Sequence, residues 1–438
     1  MAVDLFPPQA SSELDGPTWL RTRRADAMAA LGEWDLPTTD LEEWRYSRIR
    51  DLHPERFPLL GAAAEGAAIP GQVPVPAAAI IAELGELAGV VVVHNGVAVR
   101  VELAAELEGT GVVFGPAGDG DESVLGAAIE QAPDAFALLN DAFAPTPVVL
   151  SVPRSTTVDL PFAVVSYTDV DGGVAFPRLS VLAGENSELS VVEVALSADV
   201  EALVAPVTEL AVGNAARVSH SSLQDLGPRV WQIASVVATV GQDATLRSSS
   251  AALGGDYARQ RTDCRLIGRG AHGDLSSVYF GEGEQMLDLR TFQEHRAPDT
   301  TSNLLFKGAV GDHSHSVYTG LIRIKPEARG TNAVQTNRNL KLSEHAWAES
   351  VPNLEIENND VHCSHASTVG PVDEEQRFYL ESRGVPTSVA DRLIVGGFFD
   401  EVLDDLPVPT LAEPIRQRLD GLLDQQMGAV PASAGVRS

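Results

Sequence analysis

Three stretches open with the same kind of turn and continue into short alternating strands: GENSELSVVEVALS (184–197), GNAARVSHSSLQDL (213–226) and GQDATLRSSSAAL (241–253). These turns and a fourth at 268–270 begin 29, 28 and 27 residues apart. A fixed period of short strands is typical of a solenoid, in which each coil buries its inward side chains against its neighbours. A β-sandwich also alternates strands and turns, but it does not require a constant period. The spacing therefore favours a β-helix over about 146–371 and leaves the sandwich as the alternative.

Helical sequence flanks the repeats on both sides. Residues 1–145 begin with apolar residues at helical spacing, and a hairpin signal around His94-Asn95-Gly96 comes later in this region. Between them, residues 61–80 are rich in Ala, Gly and Pro, which predicts a loop or linker. Residues 372–438 are predicted to form helices, one of them over 389–406. The predicted fold class is mainly β, with a β-helix core between an N-terminal helical or mixed region and a C-terminal helical domain.

Composition and charge exclude several classes of function. The 438 residues include 31 basic and 61 acidic ones, for a net charge of −30. Such a surface repels phosphate backbones, so we expect no nucleic-acid partner. No run of about eighteen apolar residues predicts a membrane span, and the first residues, MAVDLFPPQASSELDG, lack the features of a signal peptide. We therefore expect a cytoplasmic protein, in which two cysteines form no disulfide framework.

Standard catalytic signatures are missing from the sequence. It contains no G-x-x-x-x-G-K-[ST] motif for ATP, no G-x-S-x-G motif and no C-x-x-C pair. These motifs therefore offer no candidate catalytic residue.

Histidine and cysteine are concentrated late in the predicted β-helix. Between 295 and 365 lie His295, His313, His315, His345, His362, Cys363 and His365. Imidazole and thiolate are preferred ligands of iron, zinc and copper. Strand alternation places Cys363 and His365 on one face and His362 on the other. Two ligands are too few for a closed metal site or a cluster, so a partner must supply the rest.

Other members of this set have simpler interpretations. His313 and His315 are bracketed by Asp312 and Ser314, which suits a solvated turn, and Cys264 suits a small buried apolar position. For the pair formed by Cys363 and His365, composition alone favours a structural role over a metal-binding one.

A family resemblance is carried by one long segment and several shorter ones. RNLKLSEHAWAESVPNLEIENNDVHCSHASTVGPVDEEQRFYLESRGV (338–385) resembles the C-terminal signature of the SufB/SufD family. HRAPDTTSNLLFKGAV (295–310) followed by HSVYTGLIRI (315–324), EEWRY (42–46) and RLIVGGFFDEVLDDLP (392–407) resemble further segments of that family. The likeness covers nearly the whole chain.

The resemblance implies a right-handed parallel β-helix between helical regions, in a non-catalytic subunit of the Suf scaffold that assembles iron–sulfur clusters. Such subunits pair, SufB with SufD, through their β-helices. They bind the SufC ATPase through their C-terminal helices, so that ATP acts only through SufC. A hetero-oligomer is implied, and a homodimer is an option for the isolated chain. Any cluster would be transient and shared with SufB.

The resemblance also implies roles for single residues. A SufB cysteine expected just before Val351-Pro352 is replaced here by Ala346 and Trp347, which favours the SufD branch. His365 matches the histidine that SufD contributes in the C-S-H-[GA] motif, and Cys363 matches the motif cysteine. Glu375 matches an acid implicated in cluster assembly in SufB. On the predicted 389–406 helix, the candidates for contact with SufC are Phe398, Phe399, Leu393 and Ile394; the alternative is that these side chains only pack the C-terminal domain.

A different class also uses parallel β-helices. Carbohydrate-active enzymes of this fold need a long groove with aromatic platforms and are commonly secreted. Aromatic residues make up only 5% of this chain. This alternative would be identified by sugar-degrading activity of the isolated chain.

Overall fold

A computed structural model describes residues 6–59 and 68–427. Within these ranges there are twenty-one strands and seven α-helices. The helices are α1 (Pro8–Ser12), α2 (Thr18–Leu31), α3 (Val75–Leu84), α4 (Ala135–Phe143), α5 (Glu374–Ser382), α6 (Thr387–Leu403) and α7 (Ala412–Met427). The strands of the N-terminal half are β1 (Gly89–His94), β2 (Val97–Leu103), β3 (Val113–Pro116), β4 (Val148–Val152), β5 (Phe162–Thr168), β6 (Gly173–Ala175), β7 (Arg178–Ala183), β8 (Glu188–Ser197), β9 (Ala202–Val204), β10 (Val207–Val212) and β11 (Arg217–Asp225). The remaining strands are β12 (Val230–Val240), β13 (Thr245–Ala252), β14 (Tyr257–Leu266), β15 (His272–Gly281), β16 (Met286–His295), β17 (Thr301–Val310), β18 (His315–Ile324), β19 (Thr331–Lys341), β20 (Trp347–Ile356) and β21 (Val361–Pro371).

The strands form two sheets that face each other across a lumen. The first sheet runs β2-β1-β5-β8-β11-β13-β15-β17-β19-β21, and the second runs β20-β18-β16-β14-β12-β10-β7-β4-β3. Successive coils pair in parallel, as β12 does with β14, and the antiparallel pairs among the described strands are β1 with β2 and β3 with β4. Parallel pairing between successive coils confirms the solenoid, and the sandwich alternative is wrong. The hairpin predicted around Asn95 is also confirmed.

The constant period arises from turns that stack on one another. Each predicted turn joins a strand of the second sheet to one of the first, and each contains a residue with positive φ: Asn186, Ala215, Asp243 and Gly270. The N–H of each such residue donates to a carbonyl in the turn of the next coil, for example from Asn186 to Asn214 at 2.8 Å and from Ala215 to Gln242 at 2.7 Å. After each repeat, the backbone therefore returns to a left-handed conformation at the same place in the coil.

Apolar side chains fill the lumen and cover both outer faces. Lumen-facing residues such as Val191, Leu246 and Leu289 form one continuous core. On the outside of the first sheet, helices α3, α6 and α7 bury a second core. On the outside of the second sheet, α2, α4 and Trp44 bury a third. The helical regions are thus layers against the solenoid, which fixes the position of the C-terminal helices relative to the last strands.

The predicted linker at 61–80 is wrong in its last part. Residues 60–67 lie outside the described ranges, but Val75–Leu84 forms α3. Its apolar residues Ala77, Ile80 and Leu84 are buried against the first sheet. In the described part of the chain, no helix combines the length and the apolar character that crossing a bilayer requires.

Candidate functional site

The solenoid ends in two long strands, β20 and β21, each of which pairs with only one neighbouring strand in the described structure. The lumen-facing side chains of β20 and β21 can be identified from the register, because they belong to the residues paired with the buried residues of β18 and β19. We call this set the mouth: Ser350, Pro352, Leu354, Ile356, Cys363, His365, Ser367 and Val369. The residues of the mouth are half-buried or exposed, whereas the residues beneath them are buried. The last coil is thus an open end of the lumen.

Cys363 and His365 lie on the same face of β21 and point toward the lumen. Cys363 is in register with Ala333, and His365 is in register with Gln335, both of which are buried. His362 lies on the opposite, outward face. The structure therefore presents one thiol and one imidazole side by side at the open end.

The two groups differ in their surroundings. Cys363 packs with Ile322, Ile324 and Ala333 and is half-buried, whereas His365 is exposed. Burial raises the pKa of the Cys363 thiol, and a backbone hydrogen bond at Ala333 only partly opposes that effect. A thiol in this state is mostly protonated at neutral pH, so a bound cation is needed to draw out the thiolate.

A hydrogen-bonded polar layer lies beneath the mouth. The Tyr279 hydroxyl donates to Asn339 Oδ1 at 2.6 Å, and Asn337 Nδ2 donates to the Tyr279 hydroxyl at 2.9 Å. Asn339 Nδ2 in turn donates to Asn337 Oδ1 at 2.8 Å. All three side chains are buried. This network fixes the side chains on which the last coil stacks.

The other histidines and the other cysteine do not join the mouth. His295 is buried between Thr300 and Ser302, and burial lowers its pKa to about 4, so the ring is neutral. The rings of His313 and His345 stack on exposed turns with centroids 4.8 Å apart. Cys264 is fully buried in the lumen, as predicted, and burial raises its thiol pKa to about 12. Among the described residues, no group of three or more His, Cys, Asp or Glu side chains could hold a metal ion.

A second feature is a cleft of about 900 Å³ between the outer face of the first sheet and the C-terminal helices. We call it the helix cleft. Its lining includes Lys307 and Arg338 from the sheet, Glu375 and Tyr379 from α5, and Leu393, Ile394 and Phe398 from α6.

The helix cleft is fixed by a buried lysine. Lys307 is 2% exposed; its ammonium donates to the Phe398 carbonyl at 2.7 Å, forms an ion pair with Glu401, and lies 4.5 Å from the centre of the Phe398 ring. The hydrogen bond from Lys307 lowers the pKa of Glu401. These contacts attach α6 to β17.

The residues of the C-terminal helices that are predicted as candidate sites differ in exposure and in location. Leu393 is 53% exposed, and Ile394 and Phe398 are half-buried in the helix cleft. Phe399 is 1% exposed and belongs to the core that α6 buries against the sheet. Glu375 lies in the first turn of α5, where Asp373 caps the helix, and it lines the cleft rather than the mouth.

Sequence reasoning missed part of this surface. Phe378 and Tyr379 are 72% and 56% exposed on α5. Two adjacent aromatic residues in a helix that begins with Glu374 and Glu375 are a detectable signal. Adjacent side chains point in different directions, so a short helix cannot bury both of them against one surface. The contribution of Lys307 and Arg338 has no local signal, since it depends on long-range packing.

Together these features define a class: a parallel β-solenoid without a metal-binding cluster of its own in the described residues, open at one end, with a helical layer beside that end. Residues 166–398 match the family described as "SUF system FeS cluster assembly, SufBD core domain". An iron–sulfur cluster assembly SufBD family protein of Mycobacterium tuberculosis is 35% identical over 304 residues, which cover 68% of this chain and 74% of that protein. The iron–sulfur cluster assembly protein SufD of Bacillus subtilis is 29% identical over 282 residues, covering 64% and 63% of the two chains.

The chain belongs to the SufBD family of the Suf iron–sulfur cluster assembly system. The carbohydrate-active alternative finds no support in these matches.

Proposed function

We propose that the chain is a SufD-type, non-catalytic subunit that pairs with SufB at the mouth, binds the SufC ATPase at the helix cleft and contributes His365 to the transient cluster. In this proposal ATP acts only through SufC, and the complex works in the cytoplasm. The relative described as SufD supports the branch assignment. The open end of the solenoid is the observation that carries the proposal.

Unpaired strand edges support pairing at the mouth. β20 and β21 have ten and eleven residues, and within the described structure each leaves the backbone groups along one edge unpaired. Trp347 and Ile356 on β20 and Val369 on β21 are 56%, 46% and 40% exposed. A second solenoid that adds strands to both sheets would satisfy these backbone groups and cover these side chains.

Ligand counting supports a cluster shared between subunits. Iron–sulfur clusters are usually held by four protein ligands, most of them thiolates. The mouth offers His365 and Cys363, so a partner must complete the set. Imidazole in place of thiolate gives a weaker hold on iron, which suits a cluster that is passed on to acceptor proteins.

The proposed role of His365 is tested by reconstituting cluster on the complex of this chain with SufB and SufC. We expect His365→Ala to lower the yield of iron and acid-labile sulfide severalfold. His362→Ala is the matched control, because its side chain lies on the outward face of the same strand. A wild-type yield with His365→Ala would refute the role.

Pairing at the mouth is tested by co-purification with SufB. We expect Val369→Asp to prevent pairing, because it places a charge at the covered edge. Val101→Asp is the control, since Val101 is 45% exposed on β2, the strand at the far end of the same sheet. Equal retention of SufB by both variants would contradict pairing at this end.

Binding of SufC is tested on the helix cleft. Leu393→Asp combined with Tyr379→Asp should release SufC, since both side chains line the cleft and are exposed. Val75→Asp is the control, because Val75 is 81% exposed on α3. Phe399→Asp is unsuitable, because that buried side chain supports the fold itself.

A further inference from the structure

Gln335 lies directly beneath His365 in the parallel ladder between β19 and β21. Its side chain faces the lumen and is 1% exposed. Neither its amide nitrogen nor its amide oxygen has a hydrogen-bond partner among the described residues. A buried polar group without a partner costs about 1–3 kcal/mol, so its retention at this position requires a physical reason.

Strand β18, in the opposite sheet, leaves space for this amide. A Cβ atom placed on Gly320 would lie 2.3 Å from Gln335 Nε2 and 2.4 Å from the Tyr318 hydroxyl. The Tyr318 hydroxyl is already hydrogen-bonded to Thr291 at 2.8 Å. Farther along β19, Asn337 and Asn339 are engaged in the network with Tyr279. Free hydrogen-bonding capacity in this row is therefore found at Gln335, below the imidazole.

Side chains in register on adjacent parallel strands are within contact range, because the strands lie about 4.8 Å apart. A histidine that binds a metal through one ring nitrogen commonly donates the N–H of the other to an oxygen acceptor, which fixes its tautomer and orientation. β21 is the last strand of its sheet in the described structure, so Gln335 is the one residue in register with His365 on a neighbouring strand there.

We infer that Gln335 is a positioning residue for His365: its amide oxygen has no partner among the described residues and lies in register below the ring, so a rotation of the two side chains lets it accept a hydrogen bond from one ring N–H and direct the other ring nitrogen toward the open mouth. The functional meaning of this arrangement rests on the proposed ligand role of His365. The inferred hydrogen bond needs only these two side chains of the free chain, so it can be tested without iron or partners.

The test is the tautomer of His365 in the full-length chain, labelled with ¹⁵N in its histidines. Spectra are recorded at about pH 8, where ordinary imidazoles are neutral, and the signal is assigned by its loss in His365→Gln. We expect the two ring nitrogens of the wild type to have well-separated chemical shifts, as in a single tautomer. In Gln335→Met, which keeps the volume but removes the acceptor, the separation should shrink toward that of free imidazole.

Two further variants distinguish positioning from packing. Gln293→Met is the matched control, because Gln293 is also fully buried with both amide atoms unpartnered, but its row leads through Ile322 to Leu354 rather than to His365. Gln335→Glu retains an acceptor and should restore the separation. An unchanged separation in Gln335→Met, or an equal loss in Gln293→Met, would overturn the inference.

The outcomes also separate this inference from the proposed function. Loss of the single tautomer in Gln335→Met, together with a normal cluster yield in His365→Ala, would support the hydrogen bond and refute the ligand role. A tautomer insensitive to Gln335→Met, together with a low yield in His365→Ala, would refute the positioning and leave the ligand role supported.

Discussion

At the scale of single residues, the two cysteines show how burial decides reactivity. Both are lumen-facing, but Cys264 is closed in by neighbouring coils, whereas Cys363 has the open mouth above it. The thiolate is the reactive form of cysteine, and burial suppresses it at both positions. Access to a partner or cation therefore distinguishes them.

We predict that a thiol reagent labels Cys363 slowly in the native chain and does not label Cys264. The labelling rate of Cys363 should continue to rise with pH above about 8.5, the usual thiol pKa, because its raised pKa delays formation of the thiolate. Mass spectrometry of labelled peptides gives both rates. Cys363→Ser should abolish native labelling, and equal labelling of the two cysteines would contradict the prediction.

His295 predicts a loss of stability in mild acid. Its pKa is about 4 in the folded chain and about 6.5 when unfolded. Between pH 6.5 and pH 4, His295 therefore binds a proton in the unfolded chain but not in the folded chain. At about 1.4 kcal/mol per pH unit, this lowers the free energy of unfolding by about 3 kcal/mol by pH 4.

Thermal unfolding measured from pH 7 to pH 4 checks this expectation. His295→Gln should be less stable at pH 7, because it disturbs the bonds to Thr300 and Ser302, but should lose less stability on acidification. Parallel pH profiles for the two proteins would show that His295 does not carry the effect.

At the scale of elements, α6 combines two kinds of surface in adjacent residues. Phe399 is enclosed with Val395 and Val402 against the first sheet, whereas Leu393 and Phe398 face the helix cleft. One helix can therefore anchor the C-terminal domain and still present apolar side chains to a partner.

We predict opposite consequences for two truncations on this helix. Phe399→Ala should destabilise the C-terminal helices by about 3–5 kcal/mol, as expected for a large buried aromatic residue. Leu393→Ala should change stability by no more than about 0.5 kcal/mol and should weaken binding of SufC instead. Chemical denaturation and SufC pull-down on the same two variants provide the comparison. A stable Phe399→Ala variant that loses SufC would reverse the assignment.

Elements were predictable from sequence where a local rule fixes them. The turns at Gly184, Gly213 and Gly241 mark the coils because each coil must return to the same backbone conformation. The face shared by Cys363 and His365 follows from strand alternation. The composition of 61–80 predicts a linker, whereas Ala77, Ile80 and Leu84 follow the helical period and are the buried residues of α3.

The helix cleft was not predictable in the same way. Its charged wall depends on a contact between Lys307 and the Phe398 carbonyl, which are 91 residues apart. No short-range sequence pattern indicates which helix covers which coil, so the cleft can be identified only from the packing of the helices against the solenoid. The free amide of Gln335 is similarly a property of stacked coils, not of one strand.

At the scale of the whole molecule, stability is shared between neighbouring coils, so the end coil is held from one side only. We predict that amide hydrogens of β20 and β21 exchange faster than those of β12 and β14, which lie between two neighbours. Binding of SufB should slow exchange at β20 and β21 and leave β1 and β2 unchanged. Hydrogen–deuterium exchange of the free and bound chain measures this. Protection that develops at β1 and β2 instead would place the partner at the wrong end.

The two ends of the solenoid differ in how readily their strand edges can accept further strands. At the N-terminal end, β2 carries Arg100 and Glu102, which pair with each other, and β3 has only four residues and finishes at Pro116. Charge and proline discourage further strands from adding there. In the proposed pairing, the mouth of this chain joins the end of a second solenoid, which covers the open edges at the mouth, while the charged and proline-containing edges at β2 and β3 accept no further strands. Such an assembly would stop at two solenoids, so the same backbone that would otherwise template a fibre would produce a closed pair.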